Sequence, residues 1–348
     1  MRKIINYILA ILILFNGFFV AVGAILYPLA SIDAVSIWLL KAKAIFLVHG
    51  ALPINILTNN IYLNTHPQYP LLIPYFFSFF YFIFGQVNDK LAVLTNPVFY
   101  CLTIFIIFKL LRKMQFNTTF ALLFTYIYSM FSPFLAQGGR KHAGDADIFI
   151  VFTNWLSLFL AFNFFKNKSY KILSLIIILV MISSQIKAEG LFLASIILFL
   201  PLKRKVKLMS FVISLLPFLV WRGIIAYYKI PNDFYFLIPS LQEIVMRIFQ
   251  IAYYTLREMI KINNWYIFWP IFACMIILVR SKDKFINKFV LPSLGLMSLG
   301  FFVFYLFLSV SPAIYVTSSI DRILLQLSPF YFLIFAVLIK QALSPKNK

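Results

Sequence analysis

Asp33, the run Arg140-Lys141-His142-Ala143-Gly144-Asp145-Ala146-Asp147, the run Lys187-Ala188-Glu189-Gly190 and the pair Asp321-Arg322 hold the charges best suited to chemistry. A lone carboxylate such as Asp33 can take a proton from an attacking hydroxyl or amine. At the start of a helix it can equally cap backbone N–H groups. The Asp145/Asp147 pair, with His142 nearby, offers the oxygen ligands that a divalent cation prefers, or it caps the helix that follows. Lys187 with Glu189, and Asp321 with Arg322, make structural ion pairs or steer a substrate. His66 opens the rigid segment His66-Pro67-Gln68-Tyr69-Pro70, where it shapes a loop or handles a proton.

The elements that position these groups lie in a membrane. Of 348 residues, 63% are hydrophobic and 12% are charged, outside the soluble globular range. Phe contributes 42 residues and Tyr 19, which points to an all-helical, lipid-embedded chain. The net charge of +21 comes from short Lys/Arg clusters between apolar runs, so it reads as a topology signal and excludes a nucleic-acid partner. Cys101 and Cys274 each sit inside an apolar run and make no disulfide framework. No Gly-rich phosphate loop, zinc-type Cys/His spacing or Gly-x-Ser-x-Gly elbow occurs.

Hydropathy predicts about ten transmembrane helices, near 4–27, 91–111, 118–137, 148–165, 172–186, 190–202, 208–227, 265–280, 289–310 and 322–341. The apolar stretch 70–84 is too short to span and is read as a juxtamembrane or re-entrant hairpin. With that choice one face collects Arg2/Lys3, Arg112/Lys113, Lys166/Lys168/Lys171, Lys203/Arg204/Lys205/Lys207, Arg280/Lys282/Lys284/Lys288 and Lys346/Lys348. The positive-inside rule makes that face cytoplasmic and puts both termini there. Every acidic residue except Asp283 then falls outside, as do His49, His66 and His142.

Two outer loops are long. In 28–90, Val35, Trp38, Leu39, Ala42, Ile45 and Phe46 share one face of a helix expected to rest along the membrane interface. In 228–264, Ser240 and Glu243 form a capping box that opens an amphipathic helix. The chain is read as a single membrane domain, with a core over 1–227 and three C-terminal spans following the second loop. Outer-face carboxylates with Lys and Arg at the interface suit transfer of a sugar from a polyprenyl-phosphate carrier. A carboxylate activates the acceptor, and cations stabilise the leaving phosphate. A transporter or flippase of lipid-linked sugars would instead place charges at mid-depth; a non-catalytic scaffold would use Asp33 only for stability.

The order and placement of these segments resemble the GT-C superfamily of integral-membrane glycosyltransferases. The bacterial branch related to protein O-mannosyltransferases and lipid A aminoarabinose transferase is the most similar. The resemblance covers residues 1–200, with an echo at 317–341. It rests on Asp33 followed by Trp38-Leu39-Leu40-Lys41-Ala42-Lys43, on His66-Pro67-Gln68-Tyr69-Pro70-Leu71-Leu72-Ile73-Pro74, on Ala143-Gly144-Asp145-Ala146-Asp147, on Lys187-Ala188-Glu189-Gly190, and on Arg322 with Pro329.

It implies Asp33 as general base, with Asp145, Asp147, Glu189 and His66 orienting donor or acceptor. Lys41, Arg140, Lys187 and Arg322 would grip the carrier phosphate. No cofactor is firmly implied, and a divalent metal at Asp145 and Asp147 stays open. The implied partners are a polyprenyl-phosphate sugar and an envelope glycan, lipid or protein acceptor at the outer face of a bacterial inner membrane, with inversion at the anomeric carbon. Two departures stand out. Ala34 follows Asp33 where many relatives carry a second acid, and Tyr69 stands where some carry Lys.

Overall fold

The computed structural model describes residues 1–343, and Lys346 and Lys348 of the last basic cluster lie outside the described residues. The described chain is all-helical, and its one sheet-like contact is an isolated bridge between Phe236 and Leu308. Six helices are long and apolar enough to cross a bilayer: Arg2–Leu26, Asp89–Lys113, Asp147–Asn167, Arg204–Tyr227, Ile286–Phe307 and Pro312–Leu343. The chain is thus a polytopic membrane protein.

The ten expected spans are resolved differently. Thr118–Ser129 and Ser132–Gly139 bend by 71° and make at most one further span. The break falls at Met130-Phe131, where Pro133 at the start of the second helix cannot continue the first. Tyr170–Ile186, Ala188–Phe199 and Phe268–Leu278 are apolar helices too short to pass the same length test. The last helix begins ten residues before the expected boundary at 322, so Asp321 and Arg322 lie within a helix.

Burial separates the helices into two kinds. Arg2–Leu26 and Arg204–Tyr227 leave Leu14, Phe15, Phe18, Leu219 and Val220 exposed, a surface suited to lipid. Pro312–Leu343 is enclosed for most of its length and runs through the core cluster, which extends from Val20 to Leu338. Pro329 inside it has no N–H for the Leu325 carbonyl, and the Ser328 hydroxyl donates to that carbonyl at 2.7 Å instead. The first helix meets the bent pair so closely that a Cβ on Gly139 would sit 2.1 Å from the Val20 carbonyl oxygen. Only glycine fits there.

The outer-loop helix at 33–47 departs from the expectation. It is a π-helical turn, Asp33–Leu39, running into Leu40–Leu47, and it is buried on more faces than the expected apolar stripe. Trp38, Leu39, Ala42 and Ile45 are buried as the apolar face required, but Ala34, Ile37, Lys41 and Ala44 are buried too, and Val35 is exposed. Leu72–Phe84 forms a 13-residue helix, short of a span, which ends on Gly85 in the left-handed region.

The second outer loop behaves as its sequence requires. Ser240 and Glu243 make a complete capping box on Leu241–Met259. Leu241, Val245, Phe249, Tyr253 and Leu256 are exposed along that helix, leaving an apolar face on the outside of the protein. Before it, residues 231–239 form a strap. The Leu237 N–H donates to the Phe307 carbonyl and the Ser309 N–H donates to the Tyr235 carbonyl.

Candidate functional site

A cavity of about 730 Å³ collects residues from loops far apart in sequence. Asp33, His66, Asp145, Lys187, Glu189 and Arg322 of the sequence candidates all line it. Asp147 lies immediately behind the wall, joined to Lys187.

Asp33 does not cap its helix: no side-chain capping bond is present there, and the Ser31 hydroxyl accepts from the Ala34 N–H. The Asp33 carboxylate instead pairs with the Arg322 guanidinium, whose second nitrogen reaches the Ser318 carbonyl at 3.4 Å. Both side chains remain partly open, 31% for Asp33 and 22% for Arg322.

Asp147 is buried and held by Lys187 Nζ at 3.3 Å and by Gln326 Nε2 at 2.6 Å. Lys187 also contacts Glu189 at 3.2 Å. Burial works to lower the Lys187 pKa, but Asp147 and Glu189 together hold it above the ordinary lysine value. The turn that carries this set is very tight, since a Cβ on Gly190 would lie 1.9 Å from the Ser183 carbonyl oxygen. Glu189 Oε2 is buried without a hydrogen-bond partner and belongs to the cavity wall.

Asp145 accepts from Ser31 Oγ at 2.5 Å and lies 3.1 Å from His142 Nδ1 and 3.4 Å from Gln137 Nε2. Burial raises its pKa, with the His142 and Ser31 hydrogen bonds opposing. Asp145 and Asp147 are thus each taken up by their own donors and do not share a ligand. Among the described residues no three His, Cys, Asp or Glu side chains gather into a metal site. The residues do not fit the divalent cation considered from the Asp-x-Asp spacing.

Two of the expected phosphate-gripping residues are elsewhere. Lys41 is fully buried and its ammonium donates to the His66 carbonyl at 2.6 Å, with no path to a ligand. Desolvation lowers its pKa to about 7, with Asp233 opposing. Arg140 stacks over the rings of Phe19 and Tyr27 and fastens its loop to the first helix. Its neighbour Lys141 is exposed and lines the cavity. On a loop, adjacent side chains point apart, and sequence position alone could not choose between the two.

His66 is held on several sides. Its ring stacks on Tyr69 at 4.8 Å and on Phe234 at 5.1 Å, and Nδ1 pairs with Asp233. Its backbone is left-handed, with φ 50°, which the Lys41 contact to its carbonyl helps to fix. Asp233, on the strap, also accepts from Gln68 Nε2, and the Gln68 backbone carbonyl accepts from Trp221 Nε1 at 2.8 Å. His66 thus shapes the loop and lines the cavity at once.

A second, mostly apolar chamber of about 280 Å³ shares Tyr69, Glu189, Phe234 and Phe304 with the first. Phe192, Phe218, Trp221 and Phe236 line it, together with Arg222, an exposed cation on the span Arg204–Tyr227. An apolar groove of about 410 Å³ continues from Leu191 and Phe192 between that span and Ile286–Phe307, past Phe211, Leu215, Leu299 and Val303.

Sequence reasoning passed over Asp233, Gln326 and Arg222 as site residues, and within the run 140–147 it gave the phosphate to Arg140 and not to Lys141. A signal existed for two of them: Gln326 and Arg222 are polar residues inside apolar spans, which such segments retain only for a partner or a pathway. No family model, curated protein or solved structure matches the chain.

Proposed function

We propose that this chain is a GT-C-type integral-membrane glycosyltransferase. It moves a sugar from a polyprenyl-phosphate carrier to a hydroxyl or amine of an envelope glycan, lipid or protein, on the extracytoplasmic face of a bacterial inner membrane. The observation that carries this reading is the shared wall. A charged cavity large enough for a sugar and its acceptor shares Tyr69, Glu189, Phe234 and Phe304 with an apolar chamber, which in turn shares Leu191 and Phe192 with a groove between two membrane helices. A substrate with a polar head and a long apolar tail fits that sequence of surfaces.

The reaction follows from the residues. Asp33 takes the proton of the acceptor hydroxyl or amine as its heteroatom attacks the anomeric carbon. The bond from that carbon to the phosphate oxygen breaks, and its electron pair leaves with the phosphate. Arg322 and Lys141, which line the cavity, serve as cations for the growing phosphate charge. Glu189 Oε2, buried and unpaired, is an acceptor for a sugar hydroxyl. Inversion follows from one displacement with one base.

The topology supports the same reading. The segments near 33, 66, 145, 187, 233 and 322 line one cavity, which puts them on one side of the protein. They stand on the same side of a bilayer when Tyr170–Ile186 runs outward and Ala188–Phe199 returns, and when the bent pair Thr118–Ser129 and Ser132–Gly139 and the short helix Phe268–Leu278 also cross, as in the ten-pass arrangement. The basic clusters then fall on the opposite, cytoplasmic face. Charges gathered at one end, with apolar surfaces leading away, favour a transferase over a mid-depth transport pathway.

The test is mass spectrometry of envelope glycans and lipid-linked sugars in a deletion strain complemented with wild type or Asp33→Asn at matched protein levels. The reading expects deletion and Asp33→Asn to lose the same sugar from the envelope. Full restoration by Asp33→Asn would remove Asp33 from the mechanism, and an unchanged glycan profile in the deletion would remove the transferase.

A further inference from the structure

Lys187 and Arg322 face the same cavity in different bonding states. Lys187 is wedged between Asp147 and Glu189, its side chain 8% exposed and the two carboxylates 2% and 9%. Leaving that position would strand two buried negative charges. Among the described residues Arg322 touches one carboxylate, Asp33, and makes one long contact to the Ser318 carbonyl, while Asp147 and Asp145 attract it without touching it. The pair stands open to the cavity, and the guanidinium has further N–H groups for a second anion. Lys187 is fixed, and Arg322 can be recruited.

We propose that Arg322 is a shared cation that Asp33 and the substrate phosphate compete for, so that it is a positioning residue for the base as well as a phosphate ligand. This rests on the transferase reading. In the resting protein Arg322 occupies Asp33. The donor, a phosphodiester, carries one negative charge, and the phosphate gains a second as the anomeric bond breaks. Arg322 then moves onto the phosphate while Asp33 takes the acceptor proton and becomes neutral. The cavity's total charge is unchanged. Each event makes the other easier: a neutral Asp33 no longer attracts Arg322 as an ion, and departure of Arg322 uncovers the Asp33 oxygen that it had occupied. The pair thereby links base action to departure of the phosphate.

The competition has a binding signature independent of turnover. Polyprenyl phosphate, the released carrier, is titrated into purified wild type, Asp33→Asn, Arg322→Gln and the double variant, with folding checked by thermal unfolding. Asp33→Asn is expected to bind about fivefold tighter, since the cation is free beforehand. Arg322→Gln is expected to bind about tenfold weaker, and the double variant should match Arg322→Gln. Uncharged polyprenol should show no gain in Asp33→Asn.

Loss of one negative charge alone would also favour an anion, but that gain would persist without Arg322. A gain that survives in the Arg322→Gln background, or no gain in Asp33→Asn, overturns the exchange while leaving the transferase standing. Failure of wild type to bind polyprenyl phosphate at all removes the donor reading, and the exchange with it.

Discussion

Two ion-pair systems border the cavity, each a cation with carboxylates, and they are placed in different surroundings. Asp147, Lys187, Glu189 and Gln326 form a buried set in which both carboxylates lean on one lysine. Asp33 and Arg322 form a partly open pair. Burial makes the difference. A charge with no access to water cannot lose its partner without a cost of several kcal/mol, whereas a pair in contact with solvent exchanges partners for little. The buried set therefore holds the cavity together, and the open pair is the one free to exchange partners.

The largest expected effect breaks the buried set. Lys187→Ala leaves Asp147 and Glu189 without their cation and should cost about 3–5 kcal/mol of stability, read as a large fall in the unfolding temperature in detergent. Asp33→Asn is the counterpart. It should lower transfer by about 10²–10⁴-fold, in the range of a lost general base, and shift stability by no more than about 1 kcal/mol. The reverse pattern would mean that the roles of the two systems are exchanged.

A smaller effect concerns the buried lysine behind the site. Lys41 has a folded pKa near 7 against 10.5 in an exposed chain. Between these values the unfolded chain binds the proton that the folded one lacks, so stability rises with pH from about 7 to about 10.5 and is flat at this group below 7. The slope is at most about 1.4 kcal/mol per pH unit. The unfolding free energy of wild type relative to Lys41→Met should climb across that window, and a constant difference from pH 7 to 10 would remove the assignment. The smallest effects separate two neighbours. Arg140→Ala should lose about 0.5–1 kcal/mol of stability from its ring contacts and keep its affinity for polyprenyl phosphate. Lys141→Ala should weaken that affinity by a few fold and leave stability alone.

Legibility in the sequence followed the same division. Spacing made the capping box at Ser240 and Glu243 visible, and amphipathic periodicity located the helix after it. Local charge runs pointed to Asp33, Asp145, Lys187, Glu189 and Arg322, and the structure brings all five to one cavity. What local pattern could not supply was partnership across the chain. Nothing near Asp33 announces Arg322, 289 positions away. Lys41 shares a lysine-rich helix with Lys43, and only packing seals one while the other reaches Asp89. Asp145 and Asp147 look like a cation pair by spacing, but one turn of chain sends them to different donors. Short helices such as Phe268–Leu278 carry the hydropathy of a span without its length, because hydropathy does not register where a helix stops.

The most direct test of the claim that the open pair carries the chemistry is the ratio of sugar-loaded to free polyprenyl phosphate. It would be measured by mass spectrometry in membranes holding equal amounts of folded wild type or Asp33→Asn. The account predicts that loaded carrier accumulates in Asp33→Asn membranes while the protein's unfolding temperature stays close to that of wild type. A ratio equal to wild type, with the variant folded and present, would contradict it.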